Sequence, residues 1–144
     1  MLAQGRLPGR PSAVVTGGDI FVVQSSTAQG LLLESEQIDS LLDVAGVDGV
    51  RDILDAFWRS TDDLSADLAR CAETGACADA ARAAHALKGS AANVGAQRLS
   101  QAARDIEALS KSGDLSAVRE ALATLAAIYR DTRAELDRHL NARA

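Results

Sequence analysis

His85 and Lys88 lie one helical turn apart in the stretch ARAAHALKGSAANVGAQRL, residues 81–99, and they are the pair in this chain best placed to do chemistry. Ala84, Leu87, Ala91 and Val94 recur at +3, +4 and +3, the spacing of one buried helix face. His85 falls one position off that face and points to water. Along its own side lie Ala81 at i−4, Lys88 at i+3, Gly89 at i+4 and Ala92 at i+7. Imidazoles change charge near neutral pH, so an exposed one is partly neutral and nucleophilic. If it attacked a phosphoryl donor, Lys88 could meet the arriving charge with a compact ammonium. Gly89, Ala81 and Ala92 would let a partner's backbone approach the ring, although a glycine inside a helix costs about 1 kcal/mol relative to alanine. Ser90 adds a hydroxyl from a less favourable direction. Spacing alone leaves a second reading open, a solvated face on which His and Lys happen to be neighbours.

Other chemistries find no support. Di-metal bundle centres use Glu-x-x-His pairs on facing helices, and this chain has none. Zinc would want clustered Cys and His, but Cys71, Cys77 and His85 have no such spacing, so no metal site is expected. Cys71 continues an apolar helical seam and reads as a small core residue. No serine or cysteine is marked as a triad nucleophile. Lys88-Gly89-Ser90 sits inside a helix and cannot wrap a phosphate as a nucleotide-binding loop does. The second histidine, His139, lies near the end of the last helical pattern, where it would complement the helix dipole.

Composition narrows the partners. A net charge of −5 argues against nucleic acid. No apolar run approaches the roughly 20 residues that cross a membrane, and the N-terminus has no signal-peptide pattern, so the cytoplasm is the expected location. With 47% apolar but only 3% aromatic residues, the core must be built from Leu, Ile, Val and Ala, which suits closely packed helices.

The elements that position His85 follow from the periodicity. Residues 1–33 read as a flexible leader holding both prolines, with a marginal hairpin flanking Thr16-Gly17-Gly18-Asp19. Residues 34–144 read as helical throughout. Ser35 caps a short helix carrying Ile38, Leu41, Leu42 and Ala45 and ended by Gly46. Asp48 opens a long helix with the seam Val50, Leu54, Phe57, Thr61, Leu64, Leu68 and Cys71, broken at Thr74-Gly75. The His85 helix runs from about 78 to 94, and Gly95 interrupts it. The next helix carries Leu99, Ala102, Ile106 and Leu109 and stops at Ser112-Gly113. Asp114 caps the last, with Leu115, Val118, Leu122, Leu125, Tyr129, Thr132, Leu136 and either His139 or Leu140. The fold class is therefore all-α: an antiparallel up-and-down four-helix bundle with an additional short N-terminal helix.

The residues His85-Ala86-Leu87-Lys88-Gly89-Ser90, followed by small residues and Gly95, resemble the signature of histidine-containing phosphotransfer (HPt) domains. The likeness extends over about 35–140. It implies a phosphocarrier of a multistep His–Asp relay, not an enzyme with its own ATP-binding domain. His85 would take a phosphoryl group from an aspartyl phosphate on one receiver domain and pass it to another, the partners being receivers of a hybrid histidine kinase and of a response regulator. Lys88 would steady the phosphate and Gly89 would admit the receiver. Ala81, Arg82, Ser90, Ala92 and Glu107 would line the docking surface. Where some family members carry a glutamine touching the histidine, this chain places Glu107, which could orient the ring but would repel a phosphate. No cofactor is implied for the chain itself; magnesium would sit on the receiver. A monomer suits a shuttle that meets two partners in turn. Two alternatives stand beside this one: a bundle that binds or sequesters receivers without being phosphorylated, and the phospho-acceptor domain of a sensor histidine kinase. The latter class usually follows its histidine with an acidic residue and a nearby proline, and this chain has Ala86 and no proline after Pro11.

Overall fold

A computed structural model describes residues 32–144, and these form one compact unit. The expected hairpin and most of the expected leader lie outside the described residues. Within them the chain is all-helical: α1 (Ser35–Thr74), α2 (Cys77–Asn93), α3 (Gln97–Ser112) and α4 (Leu115–Arg143). The helices close a ring, α1 packing on α2, α2 on α3, α3 on α4 and α4 back on α1. At the centre of that ring lie Ile38, Leu68, Leu87, Leu99, Ile106, Leu125, Leu136 and Leu140, all essentially sealed from water. Trp58 of α1 stacks at 5.5 Å on Tyr129 of α4, with the Arg133 guanidinium 5.3 Å above the indole ring.

The short helix and the long one expected after it are joined in α1 across a break at Gly46, whose φ of 71° is a left-handed conformation that side chains rarely adopt. Glu34 occupies the cap position ahead of Ser35, and no side chain caps this end. Hydrogen bonds to the other side of the bundle hold it instead: Glu34 N–H donates to Gly95 O at 2.7 Å, Arg98 N–H donates to Leu32 O at 3.3 Å, and the Gln37 side chain donates from Nε2 to Asn93 O at 2.9 Å. The first residues of α1 are thereby tied to the turn after α2. Gly95 is fixed there twice over, by a φ of 77° and by Ile38, whose Cγ1 would lie 2.7 Å from an added Cβ. Asp114 caps α4 as expected, accepting from Ala117 N–H at 3.1 Å.

The expected seams are buried to different depths, with Leu41, Leu64, Leu115, Leu122 and Tyr129 half-buried at the edge of the core, and one residue leaves the seam altogether. Ala45 is exposed, because the chain turns off the bundle at Gly46. On α3, Ala102 and Leu109 are half-buried, while Ala103, Glu107 and Ser110 are buried beside Leu99 and Ile106. This helix packs against both α2 and α4, so its covered face is wider than one stripe and takes in polar positions. Trp58, Ala72 and Ile128 join the core as well. Cys71 is buried and Cys77 half-buried, and both are free thiols.

Candidate functional site

His85 projects from the middle of α2, which is held by Ala84, Leu87 and Ala91, each sealed from solvent. The same register leaves the imidazole 67% exposed. Its base is made by α3. Glu107 comes up beneath the ring, only 11% exposed, and places Oε2 3.1 Å from His85 Nδ1. Lys88 Nζ donates to the other carboxylate oxygen, Oε1, at 3.1 Å. Lys111, one turn along α3, reaches Oε2 at 3.2 Å. Hydrogen bonds from Lys88 and Lys111 outweigh the opposing effect of burial, and with a smaller contribution from His85 they draw the Glu107 carboxyl down to about 2. Glu107 is therefore a carboxylate at neutral pH and can only accept. That assigns the hydrogen of the neutral ring to Nδ1 and the lone pair to Nε2, which no side chain among the described residues engages. The arrangement presents an oriented nitrogen nucleophile with two ammonium groups close by.

The other residues singled out by the sequence surround this centre unequally. Gly89 is exposed, and a Cβ built on it would meet nothing within 4 Å. Ala81 is buried at 8% exposure but forms the floor of a cavity of about 480 Å³ beside the ring, with Arg82, Ala86, Glu107 and Lys111. Arg82 is exposed and paired with Asp79 on its own helix. Ser90 Oγ turns back to donate to Ala86 O at 3.0 Å, away from the ring. Ala92 is exposed and lines a neighbouring cavity of about 320 Å³ with Lys88, Gly95, Ser100 and Arg104. Lys88 is itself steadied through its backbone, since Ser100 Oγ donates to Lys88 O at 2.9 Å.

Sequence reasoning did not find Lys111. The signal was present, because a Glu followed by a Lys at i+4 is a favourable pair on one helix face. It became relevant only once Glu107 was known to face His85. His139 sits elsewhere: its Nε2 lies 3.1 Å from Asp39 Oδ1, which also accepts from Arg143 at 2.6 Å, so the cluster ties the end of α4 to the start of α1. Bonding to His139 first, and to Arg143, holds the Asp39 carboxyl below its ordinary range. Among the described residues no group of His, Cys, Asp and Glu is arranged to hold a metal, and no helix is long and apolar enough to cross a membrane.

Comparison with known proteins bears on the fold and the family. No curated protein matches the chain. Among solved structures, the crystal structure of histidine-containing phosphotransfer protein B (HptB) from Pseudomonas aeruginosa PAO1 superposes with a TM-score of 0.71 at 18% identity, covering 78% of this chain and 97% of that one. At that identity the likeness speaks for the fold. The family model of the Hpt domain matches residues 52–141, a span that takes in His85, Lys88, Gly89, Glu107 and Lys111. With more than half of its length in that match, the chain belongs to the Hpt domain family.

Proposed function

We propose that His85 is the residue through which this histidine phosphocarrier of a phosphorelay works, receiving the group on Nε2. The observation that carries the assignment is the contact of Nδ1 with an ionised Glu107, which leaves the Nε2 lone pair outward on an exposed ring. The donor is an aspartyl phosphate on a receiver domain. The Nε2 lone pair forms the new N–P bond, the P–O bond to the receiver's aspartate breaks, and its electron pair stays on that carboxylate. The return step to a second receiver reverses this order. Phosphoryl transfer of this kind depends on alignment and charge neutralisation more than on covalent help from the protein. Lys88 supplies charge, Gly89 leaves room for the receiver's backbone, and Arg82, Ala92, Ser90 and the Ala81 floor shape the surface around them. Magnesium belongs to the receiver, and the chain works without a cofactor or an ATP-binding domain of its own.

The scaffold we infer is an antiparallel up-and-down bundle of four helices, with the residues before Gly46 as the additional short helix. The closed ring of contacts and the turns of a few residues between helices support it. The partners we infer are receivers of a hybrid histidine kinase and of a response regulator, met in turn by a monomer in the cytoplasm and without nucleic acid. Labelled receivers, charged with acetyl phosphate, are mixed with wild type, His85→Gln and His139→Gln, beside a reaction with ATP alone. Acid-labile label must pass from a receiver to wild type and to the His139 variant but not to the His85 variant. Label from ATP alone, or binding of receivers without any label, would overturn the assignment.

A further inference from the structure

Transfer through Nε2 fixes a proton count. In the free chain the neutral ring carries one hydrogen, on Nδ1, and Glu107 Oε2 accepts it at 3.1 Å. When the Nε2 lone pair forms the N–P bond, the ring keeps that hydrogen and becomes a cation. When the N–P bond later breaks, its electron pair returns to Nε2 and the ring departs as neutral imidazole. Loss of the Nδ1 proton in between would make the leaving group an imidazolate, a far stronger base, and would strand the phosphoryl group. An imidazole without an anionic partner gives up its proton near neutral pH, so forward transfer needs something to hold it.

Four charged side chains stand around the ring, Arg82 and Lys88 of α2 and Glu107 and Lys111 of α3. Arg82 is paired with Asp79, and both lysines are paired with Glu107. On the α1 side, Asp67 and Arg70 line the next groove and pair with each other. Among the described residues no other carboxylate bonds to the imidazole, so Glu107 is its anionic partner, on the nitrogen opposite the one that takes phosphorus. Its carboxyl, drawn down to about 2, stays ionised throughout the neutral range. A cationic ring keeps its proton more firmly against a carboxylate than against water or a neutral amide.

We propose that Glu107 is a positioning residue for the outgoing step, holding the Nδ1 proton on the phosphorylated ring so that His85 takes up and returns its group without exchanging a proton with solvent. The ring hydrogen then never leaves Nδ1, and only the N–P and P–O bonds are made and broken. This inference rests on His85 being phosphorylated on Nε2. It goes further in making the division of the group between histidine and aspartate insensitive to pH where imidazoles ordinarily titrate.

The test is the equilibrium partition of label between a receiver that charges wild type and the phosphocarrier itself, followed from about pH 7 to about pH 9. Wild type and Glu107→Gln are measured against the same receiver, and their ratio cancels the receiver's own pH dependence. If phosphorylation releases a proton, the share of label on histidine rises about tenfold per pH unit; if it releases none, the share stays level. In Glu107→Gln the amide oxygen still accepts the Nδ1 bond but brings no charge. The share on this variant should therefore climb relative to wild type, approaching about tenfold per unit above neutral pH. Parallel profiles overturn the proposal. Thermal melting confirms that the variant folds, and a second measurement does not need it. The phosphorus-31 resonance of phosphorylated wild type should hold its position across the same range, and a titrating shift overturns the proposal as well. A receiver that labels neither protein, or that still labels His85→Gln, would sink the assignment of His85 instead.

Discussion

Gly89 offers a test in which stability and function should move in opposite directions. It lies inside α2, four residues from its last residue, Asn93, and is exposed. A Cβ added there meets no atom within 4 Å, so alanine can be accommodated without strain. The helix should then gain the difference in propensity between the two residues, about 0.8–1 kcal/mol. For a domain of this size that raises the melting temperature by about 3–5 °C. Free space in the isolated chain is the space a docked receiver is proposed to occupy. Filling it adds bulk where two surfaces must close, and such overpacking costs about 1–3 kcal/mol, or roughly fivefold to 150-fold slower transfer. Gly89→Ala should sit near the lower bound and Gly89→Gln, with its longer side chain, towards the upper. Scanning calorimetry reads the first effect and rapid-quench transfer from a labelled receiver reads the second. If Gly89→Ala melts higher and transfers at the wild-type rate, this face is not where the receiver docks. If it melts lower, the backbone at Gly89 is under a constraint that the open space does not reveal.

Lys88→Ala should shift the equilibrium of label away from His85 by about three- to tenfold and lower the melting temperature modestly, since it removes one of the two cations that meet the Glu107 carboxylate; urea melts and label partition check both halves. Leu87→Ala, next to Lys88 but sealed in the core, should do the reverse, losing about 2–5 kcal/mol of stability while the fraction that remains folded still takes label. Glu107 predicts a pH dependence. Its carboxyl is lowered from 4.5 to about 2 by Lys88 and Lys111, so its contribution is complete above the unfolded value and is lost as pH falls from about 4.5 to about 2. Glu107→Gln should flatten the stability profile in that window, as read from urea melts at each pH. The same variant, relieved of its carboxylate, should raise the equilibrium share of label on His85.

The legible part of this molecule was the part written in single stripes. Ala84, Leu87, Ala91 and Val94 are all buried, and His85, one position off that stripe, is exposed. Asp114 caps where its type and place before Leu115 say it should. The less legible part was α3, which is covered on two sides. One stripe of Leu99, Ala102, Ile106 and Leu109 describes a helix with one neighbour, whereas this one turns Ala103, Glu107 and Ser110 inward as well. Ser110 solves its burial locally, donating to Ile106 O at 2.7 Å one turn back. Glu107 cannot, because a buried carboxylate needs cations, and those come from two different helices.

That requirement links the fold to the chemistry. Glu107 could be buried beneath the imidazole only because Lys88 and Lys111 meet its two oxygens, and those ammonium groups are thereby held on the carboxylate that touches the nucleophile's ring. The carboxylate thus keeps two cations ordered beside His85 while the ring is free, where a neutral amide would hold them more weakly. Its drawback is repulsion once the phosphoryl group arrives. A site built this way should bind its group less tightly than one with an amide at this position, which favours passing the group on over storing it. The comparison of wild type with Glu107→Gln decides the point: if the two divide label with a receiver equally, the carboxylate serves only to orient the ring, and the trade between ordering the lysines and repelling the phosphate does not operate.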